Sequence, residues 1–200
     1  FDIQKGIIKP FFPVEGATNK MNHPSVRGIV YEGRYVIIGQ TNRGIWLYEP
    51  ATGLYKRPLF QPGPAGESIK RQLENDFIDQ VYTLHNGHHI VAARDGCYLL
   101  NGKNYMVTAV EFSGNHENVN FCYQDNKKRV WIGTGKGLHC LDSNLVPLFS
   151  VKEGIQSPTR CLYQLHADEY ILGAEGLYLL NLADGKPTLK KLTPYFDNIA

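Results

Sequence analysis

The chain has 200 residues, with 21 basic and 19 acidic side chains for a formal net charge of +2, and 42% of its residues are hydrophobic. Such a composition excludes a disordered chain and allows a substantial core. The mixed charge forms no basic run and so excludes a nucleic-acid footprint, and no stretch reaches the ~18 consecutive apolar residues that span a bilayer.

The chain opens at Phe1 without a Met or a leader, so it reads as a mature or excised segment whose membrane anchor, if any, lies outside it. In chain order, residues 1–25, with Lys9-Pro10-Phe11-Phe12-Pro13-Val14, read as one extended strand ahead of the first repeat. Residues 26–60 hold a strand candidate at Val26 to Tyr31, a hairpin from Ile37 to Tyr48 turning at Gly44, and a strand at Leu54 to Leu59. Residues 61–77 open with Gln61-Pro62-Gly63-Pro64-Ala65-Gly66 and form an insertion. Within it Ser68, followed by Ile69, Leu73 and Phe77 at four-residue spacing, predicts a short surface helix.

The strand, hairpin, strand pattern then returns three times. Residues 78–117 carry Ile78 to Thr83, a hairpin from Ile90 to Leu100 turning at Gly96, and Tyr105 to Phe112. Residues 118–156 carry Val119 to Gln124, a hairpin from Trp131 to Leu141 turning at Gly137, and Leu145 to Val151. Residues 157–200 carry Thr159 to Gln164, a hairpin from Ile171 to Leu180 turning at Gly176, and Thr188 to Leu192. The four turn glycines stand where a side chain would be penalised at positive φ.

Steps of 52, 41 and 39 residues separate those glycines, the first lengthened by the insertion. A period of about 40 to 50 residues with four strands per repeat is that of a β-propeller blade. The fold expected is all-β: about four four-stranded antiparallel blades, with residues 1–25 as a strand of a preceding or closing blade, forming part of a larger propeller. A lone blade cannot bury both faces, which explains why the hairpins are apolar throughout. Cys97, Cys122, Cys140 and Cys161 fall within these strands with no CxxC spacing, so they read as small buried hydrophobes and no metal is expected. Likewise His85, His88 and His89 flank an Asn86-Gly87 hairpin turn and lack further ligands at metal spacing.

At Asp125-Asn126-Lys127-Lys128-Arg129-Val130-Trp131-Ile132-Gly133-Thr134-Gly135-Lys136-Gly137-Leu138 the chain resembles the two-component regulator propeller repeat, in which an Asp-bearing turn leads to Trp-Ile-Gly-Thr and then Gly-Leu. The other repeats carry weaker forms, so the resemblance covers roughly residues 26 to 193. It implies the sensor region of a bacterial hybrid two-component histidine kinase, responding to polysaccharide breakdown products from the periplasmic side of the inner membrane. It further implies a seven-bladed ring, of which this chain would be part, with a closed four- or five-bladed ring as the alternative, a homodimer formed through the parent sensor, and a kinase elsewhere in the parent chain.

Aligning the first strands places Arg27, Asp79, Asn120 and Arg160 in one slot, and the hairpin turns on the same rim offer Arg43, Arg94, Lys136 and Glu175. These eight residues are the candidate ligand site at the channel mouth. Arg, Asp and Asn hydrogen-bond sugar hydroxyls, and Arg pairs bidentately with uronate carboxylate or sulfate. Exposed aromatics such as Trp46 or Tyr98 would stack on sugar faces, although their slot, shared with His139 and Tyr178, also suits packing between blades.

No catalytic residues and no cofactor are expected: the chain has no G-x-S-x-G and no H-E-x-x-H. The Gly133-Thr134-Gly135-Lys136-Gly137 stretch lies in a hairpin without the following helix that would hold phosphate. An oligosaccharide or other small-molecule sensor is therefore the leading expectation. A carbohydrate-active lyase or glycosidase and a protein-interaction or dimerisation scaffold are the alternatives, since a propeller by itself does not choose among them.

Overall fold

The computed structural model describes residues 25–112, 117–155, 157–182 and 186–192. Apart from Ser25, the strand expected in residues 1–25 lies outside them. In chain order β1 (Val26–Tyr31), β2 (Val36–Gln40), β3 (Gly44–Glu49) and β4 (Leu54–Lys56) form one antiparallel sheet. Then come β5 (Leu59–Phe60), the helix α1 (Pro64–Asn75), and β6 (Ile78–Thr83), β7 (His89–Ala93), β8 (Gly96–Leu100) and β9 (Met106–Ala109), which form the second sheet. The third consists of β10 (Val119–Gln124), β11 (Val130–Thr134), β12 (Gly137–Leu141) and β13 (Pro147–Val151). The fourth consists of β14 (Cys161–His166), β15 (Glu169–Gly173), β16 (Leu177–Asn181) and β17 (Thr188–Leu192). Apart from β5, which adds to the edge of the second sheet beside β9, each sheet runs in simple up-and-down order, as blades of a propeller do.

The insertion departs from the pattern read in the sequence. The strand expected from Leu54 to Leu59 breaks at Pro58, which has no N–H to give to a ladder, and Leu59–Phe60 cross over to pair in parallel with β9 on the outer edge of the second sheet. α1 begins a turn earlier than Ser68, with Gly63 as its cap and Pro64 preset for the first helical position. It ends before Phe77 and buries Leu73 against the first two blades.

Three apolar clusters fill the spaces between neighbouring sheets. Ile37, Ile45 and Leu47 of the first blade meet Ile78, Val81 and Val91 of the second. Ile90, Ala92 and Cys97 meet Cys122, Val130 and Ile132 between the second and third. Phe121, Trp131 and Leu138 meet Leu162, Tyr170 and Leu172 between the third and fourth. One equivalent slot in the first strands shows what stacking does: Val81, Cys122 and Leu162 are 6%, 2% and 9% exposed, while Ile29 in the same slot of the first blade is 66% exposed. On the opposite face of the array Tyr163 is 68% exposed, whereas its equivalents Tyr82 and Tyr123 are half-buried. Among the described residues, both ends of the array thus leave a blade face uncovered.

Two sequence expectations are corrected here. Cys97, Cys122 and Cys140 are buried as expected of small hydrophobes, but Cys161 is exposed because it points from that open end. Of the four turn glycines, Gly44, Gly96 and Gly137 have positive φ and Gly176 does not. Gly44 has a second reason for lacking a side chain: a Cβ there would run into the Leu73 carbonyl oxygen of α1.

Candidate functional site

The slot shared by Arg27, Asp79 and Asn120 has a backbone cause that spacing alone does not reveal. β1 pairs with β2 through Val26↔Gln40 and then Gly28↔Gly39, which leaves Arg27 as the extra residue of a bulge. β6 skips Asp79 between Ile78↔Ala93 and Gln80↔Ala92, and β10 skips Asn120 between Val119↔Thr134 and Phe121↔Gly133. A bulge takes a residue out of the alternation and re-aims its side chain. This is why a polar residue recurs in otherwise apolar strands. In the fourth blade Arg160 lies just before β14, its N–H donating to the Gly173 carbonyl at 2.8 Å, and its side chain is exposed.

The structure brings some of the predicted residues together and keeps others apart. Arg27 and Asp79 form an ion pair at 3.3 Å across the first two blades. The guanidiniums of Arg27 and Arg94 both lie over the Phe77 ring, 5.4 and 4.8 Å from its centroid, so these three predicted residues form one cluster around an aromatic. The four-residue spacing in the sequence assigns Phe77 to the helix, and only the sharp end of α1 places it on the rim. Asn120 uses its amide otherwise, donating to the Thr159 carbonyl at 2.9 Å and so tying the third first strand to the entry of the fourth.

The remaining turn residues are dispersed. Arg43 offers its carbonyl to the Arg57 guanidinium at 2.6 Å, and Lys136 is exposed in its hairpin turn. Glu175 belongs to a separate cleft of about 290 Å³ lined by Glu153, Gly154, Glu175, Tyr178, Leu189 and Lys191. There Ser157 Oγ donates to one Glu175 oxygen at 2.7 Å and the Tyr178 hydroxyl donates to the other. Lys191 lies over the Tyr178 ring at 5.8 Å. The aromatic slot is closed to a ligand at two positions: Tyr98 is buried, and Arg57 covers Trp46 at 3.6 Å from its ring centroid.

A second polar cluster at the junction of the third and fourth blades shows what the Asp-Trp pattern does. Asp125 is fully buried and accepts from Arg129 Nε at 2.7 Å, Trp131 Nε1 at 3.0 Å, the Tyr170 hydroxyl at 2.7 Å and the N–H groups of Lys127 and Arg129. Burial alone would raise its pKa. The hydrogen bonds from Tyr170, Trp131 and Arg129 outweigh that and hold the carboxyl below the ordinary carboxylate range. Every acceptor direction of this Asp is used by the protein, so the cluster fastens blades and offers nothing to a ligand.

No protein-family model matches the chain, and no curated protein matches its sequence. Solved structures do match its fold. The extracellular domain of the hybrid two-component system BT4673 of B. thetaiotaomicron superposes with a TM-score of 0.67 at 18% identity, over 87% of this chain and 23% of that one. The corresponding domain of BT3049 from the same organism gives 0.58 at 20% identity, over 84% and 22%. The computationally designed protein Ika8 gives 0.57 at 14% identity, over 82% and 48%. At these identities the likeness establishes the propeller-blade fold. The chain spans about half of the designed protein and less than a quarter of either sensor domain. Among the described residues, no helix is long and apolar enough to cross a membrane.

Proposed function

We propose that the chain is a segment of an extracytoplasmic, ligand-sensing propeller in a hybrid two-component system, and that it is not itself an enzyme. The observation that carries this reading is the bulge-built rim, where Arg27, Asp79 and Arg94 gather around Phe77 at the edge of blades that share their fold with such extracellular domains. The guanidiniums are held by an aromatic face while their N–H groups remain partly exposed, which suits an oligosaccharide bearing carboxylate or sulfate. The parent chain would carry the membrane anchor and histidine kinase, place this segment in the periplasm, and signal through a homodimer. The two uncovered blade faces, with Ile29 at one end and Tyr163 at the other, are where further blades of a larger, seven-bladed ring would stack.

Isothermal titration with a panel of neutral, uronate-bearing and sulfated oligosaccharides tests the reading. Binding of an acidic glycan that is lost in Arg27→Ala/Arg160→Ala, with the fold retained by circular dichroism, supports it. Unchanged affinity in that variant overturns the rim site. No heat with any glycan, together with dimer formation in solution, favours the scaffold alternative.

A further inference from the structure

In the third blade His139 of β12 stands directly opposite Ser150 of β13. The other blades place Trp46, Tyr98 and Tyr178 in the slot of His139, so an imidazole occupies a position where an aromatic ring suffices for packing. Ser150 Oγ lies 2.8 Å from His139 Nδ1, and Glu117 Oε2 lies 3.2 Å from Nε2. The Phe112 ring closes one side, with its centroid 4.9 Å from that of the imidazole. His139 and Glu117 are buried, whereas Ser150 is exposed. Lys152 Nζ stands 3.9 Å from Glu117 Oε1, and Thr134 hydrogen-bonds the same carboxylate.

The tautomer follows from the partners. A carboxylate only accepts, so Nε2 carries the proton and Nδ1 turns its lone pair toward the serine hydroxyl. Burial keeps His139 below the ordinary imidazole range and hence neutral near pH 7. Burial also opposes the charge on Glu117, but hydrogen bonds from Thr134 and His139 hold it below the ordinary carboxylate range. A neutral base thus faces an exposed hydroxyl, with an anion behind it to stabilise the imidazolium.

The second blade supplies an internal contrast. There Thr83 Oγ1 lies 3.1 Å from His89 Nδ1, but His89 Nε2 is buried without a hydrogen-bond partner. The hydroxyl and imidazole recur without the acid.

We propose that Ser150 is a base-activated nucleophile that accepts an acyl group from an activated ester, with His139 as its general base and Glu117 as a positioning residue. Ser150 Oγ attacks the ester carbonyl carbon as its proton passes to His139 Nδ1. The bond to the leaving alcohol then breaks, and that alcohol's oxygen takes the proton back from Nδ1. The products are O-acyl-Ser150 and the free alcohol, with no oxidant or reductant involved. This site is independent of the sensor reading.

The test is to incubate the 200-residue chain with p-nitrophenyl acetate and locate acetylation by peptide mass mapping. Exposed Ser143 and the acid-free pair member Thr83 serve as internal references. Acetylation is expected to concentrate on Ser150, to vanish in Ser150→Ala, and to slow by about 100-fold in His139→Phe, the size of a general-base contribution. His139→Phe keeps an aromatic in a slot where other blades have one, and Glu117→Gln gives a second variant that retains shape. The wild-type rate should rise with pH to a plateau whose inflection lies below about 6.5, because the base works only when unprotonated, and Glu117→Gln should move that inflection. Acetylation of Ser150 no faster than Ser143, preferential acetylation of Lys152, or a rate unchanged in His139→Phe would each overturn the proposal.

Discussion

Two buried aspartates hold two blade junctions in opposite ways. Asp125, between the third and fourth blades, receives five hydrogen bonds, including one from the Arg129 guanidinium, and is held below the ordinary carboxylate range against its burial. The carboxylate of Asp76, between the first and second blades, accepts from the N–H groups of Phe77 and Asp95, at 2.6 and 3.0 Å, with no guanidinium donor among the described residues, and burial raises its pKa. The same junction is close-packed: a Cβ on Gly28 would lie 2.7 Å from Val81 N, and one on Gly39 would lie 2.5 Å from Ile78 Cγ2. One junction is fastened by a satisfied polar hub and the other by proximity of backbones. The same repeat can be joined either way because the apolar slots between blades already exclude water.

The largest effect should come from breaking the hub. Asp125→Ala leaves the Arg129 guanidinium, the Trp131 N–H and the Tyr170 hydroxyl without their shared acceptor, and removing one partner of a buried pair costs about 3–5 kcal/mol. Urea unfolding followed by tryptophan fluorescence should show the loss as a lower midpoint. The pH dependence should follow the same residue. Because its folded pKa lies below the unfolded value of about 3.9, the stability it contributes is present above that pH and is lost as pH falls through the folded pKa. Asp125→Asn should therefore lose less stability than wild type as pH falls from about 3.9 through the folded value. Asp76, with its raised folded pKa, contributes in the opposite sense: its share is present below about 3.9 and is lost as pH rises.

Smaller changes separate the hub's parts from the tight junction. Tyr170→Phe removes a hydroxyl that donates to Asp125 and accepts from Arg129 Nη2 at 2.5 Å, and a hydrogen bond to a charged group is worth about 1.5–3 kcal/mol. Gly28→Ala tests the other junction. The atom it meets is backbone, so the second blade must shift, and overpacking of this kind costs about 1–3 kcal/mol. Equal losses from Tyr170→Phe and from a substitution at an exposed tyrosine such as Tyr163→Phe would erase the distinction between the junctions. Thermal unfolding of the variants in parallel decides it.

Much of this architecture is legible in the sequence because blades advertise themselves twice, through a period near 40 residues and through apolar hairpins around a turn. First strands starting at Val26, Ile78 and Val119 follow from that pattern directly. The crossing of Leu59–Phe60 to the second sheet is not legible, since a parallel edge pairing of two residues leaves no periodicity. Among the candidate site residues, the common slot of Arg27, Asp79 and Asn120 can be found by alignment, but its cause cannot, because a bulge is a property of two strands together. Turn position groups Glu175 with the rim, whereas its hydrogen bonds to Ser157 and Tyr178 join segments 18 and three residues away in a separate cleft. The Asp125 to Trp131 pattern is visible in the sequence only as a resemblance. Its physical content, a buried acceptor for an indole N–H, appears when Tyr170 arrives from the next blade.

The smallest effect belongs to the rim. Arg27 pairs with Asp79 at 3.3 Å, but its side chain is 51% exposed, and an exposed pair contributes about 0.2–1 kcal/mol with further loss to salt. Arg27→Ala should consequently leave the urea midpoint nearly unchanged, and any difference from wild type should shrink in high salt. Together with the large cost expected at Asp125, that result would divide the charged residues by purpose. Those sealed between blades stabilise the array, and those lifted out of the ladder by bulges remain available to a ligand. A loss at Arg27 comparable to that at Tyr170 would instead make the rim pair a structural clasp, and the bulges would then serve the junction between the first two blades.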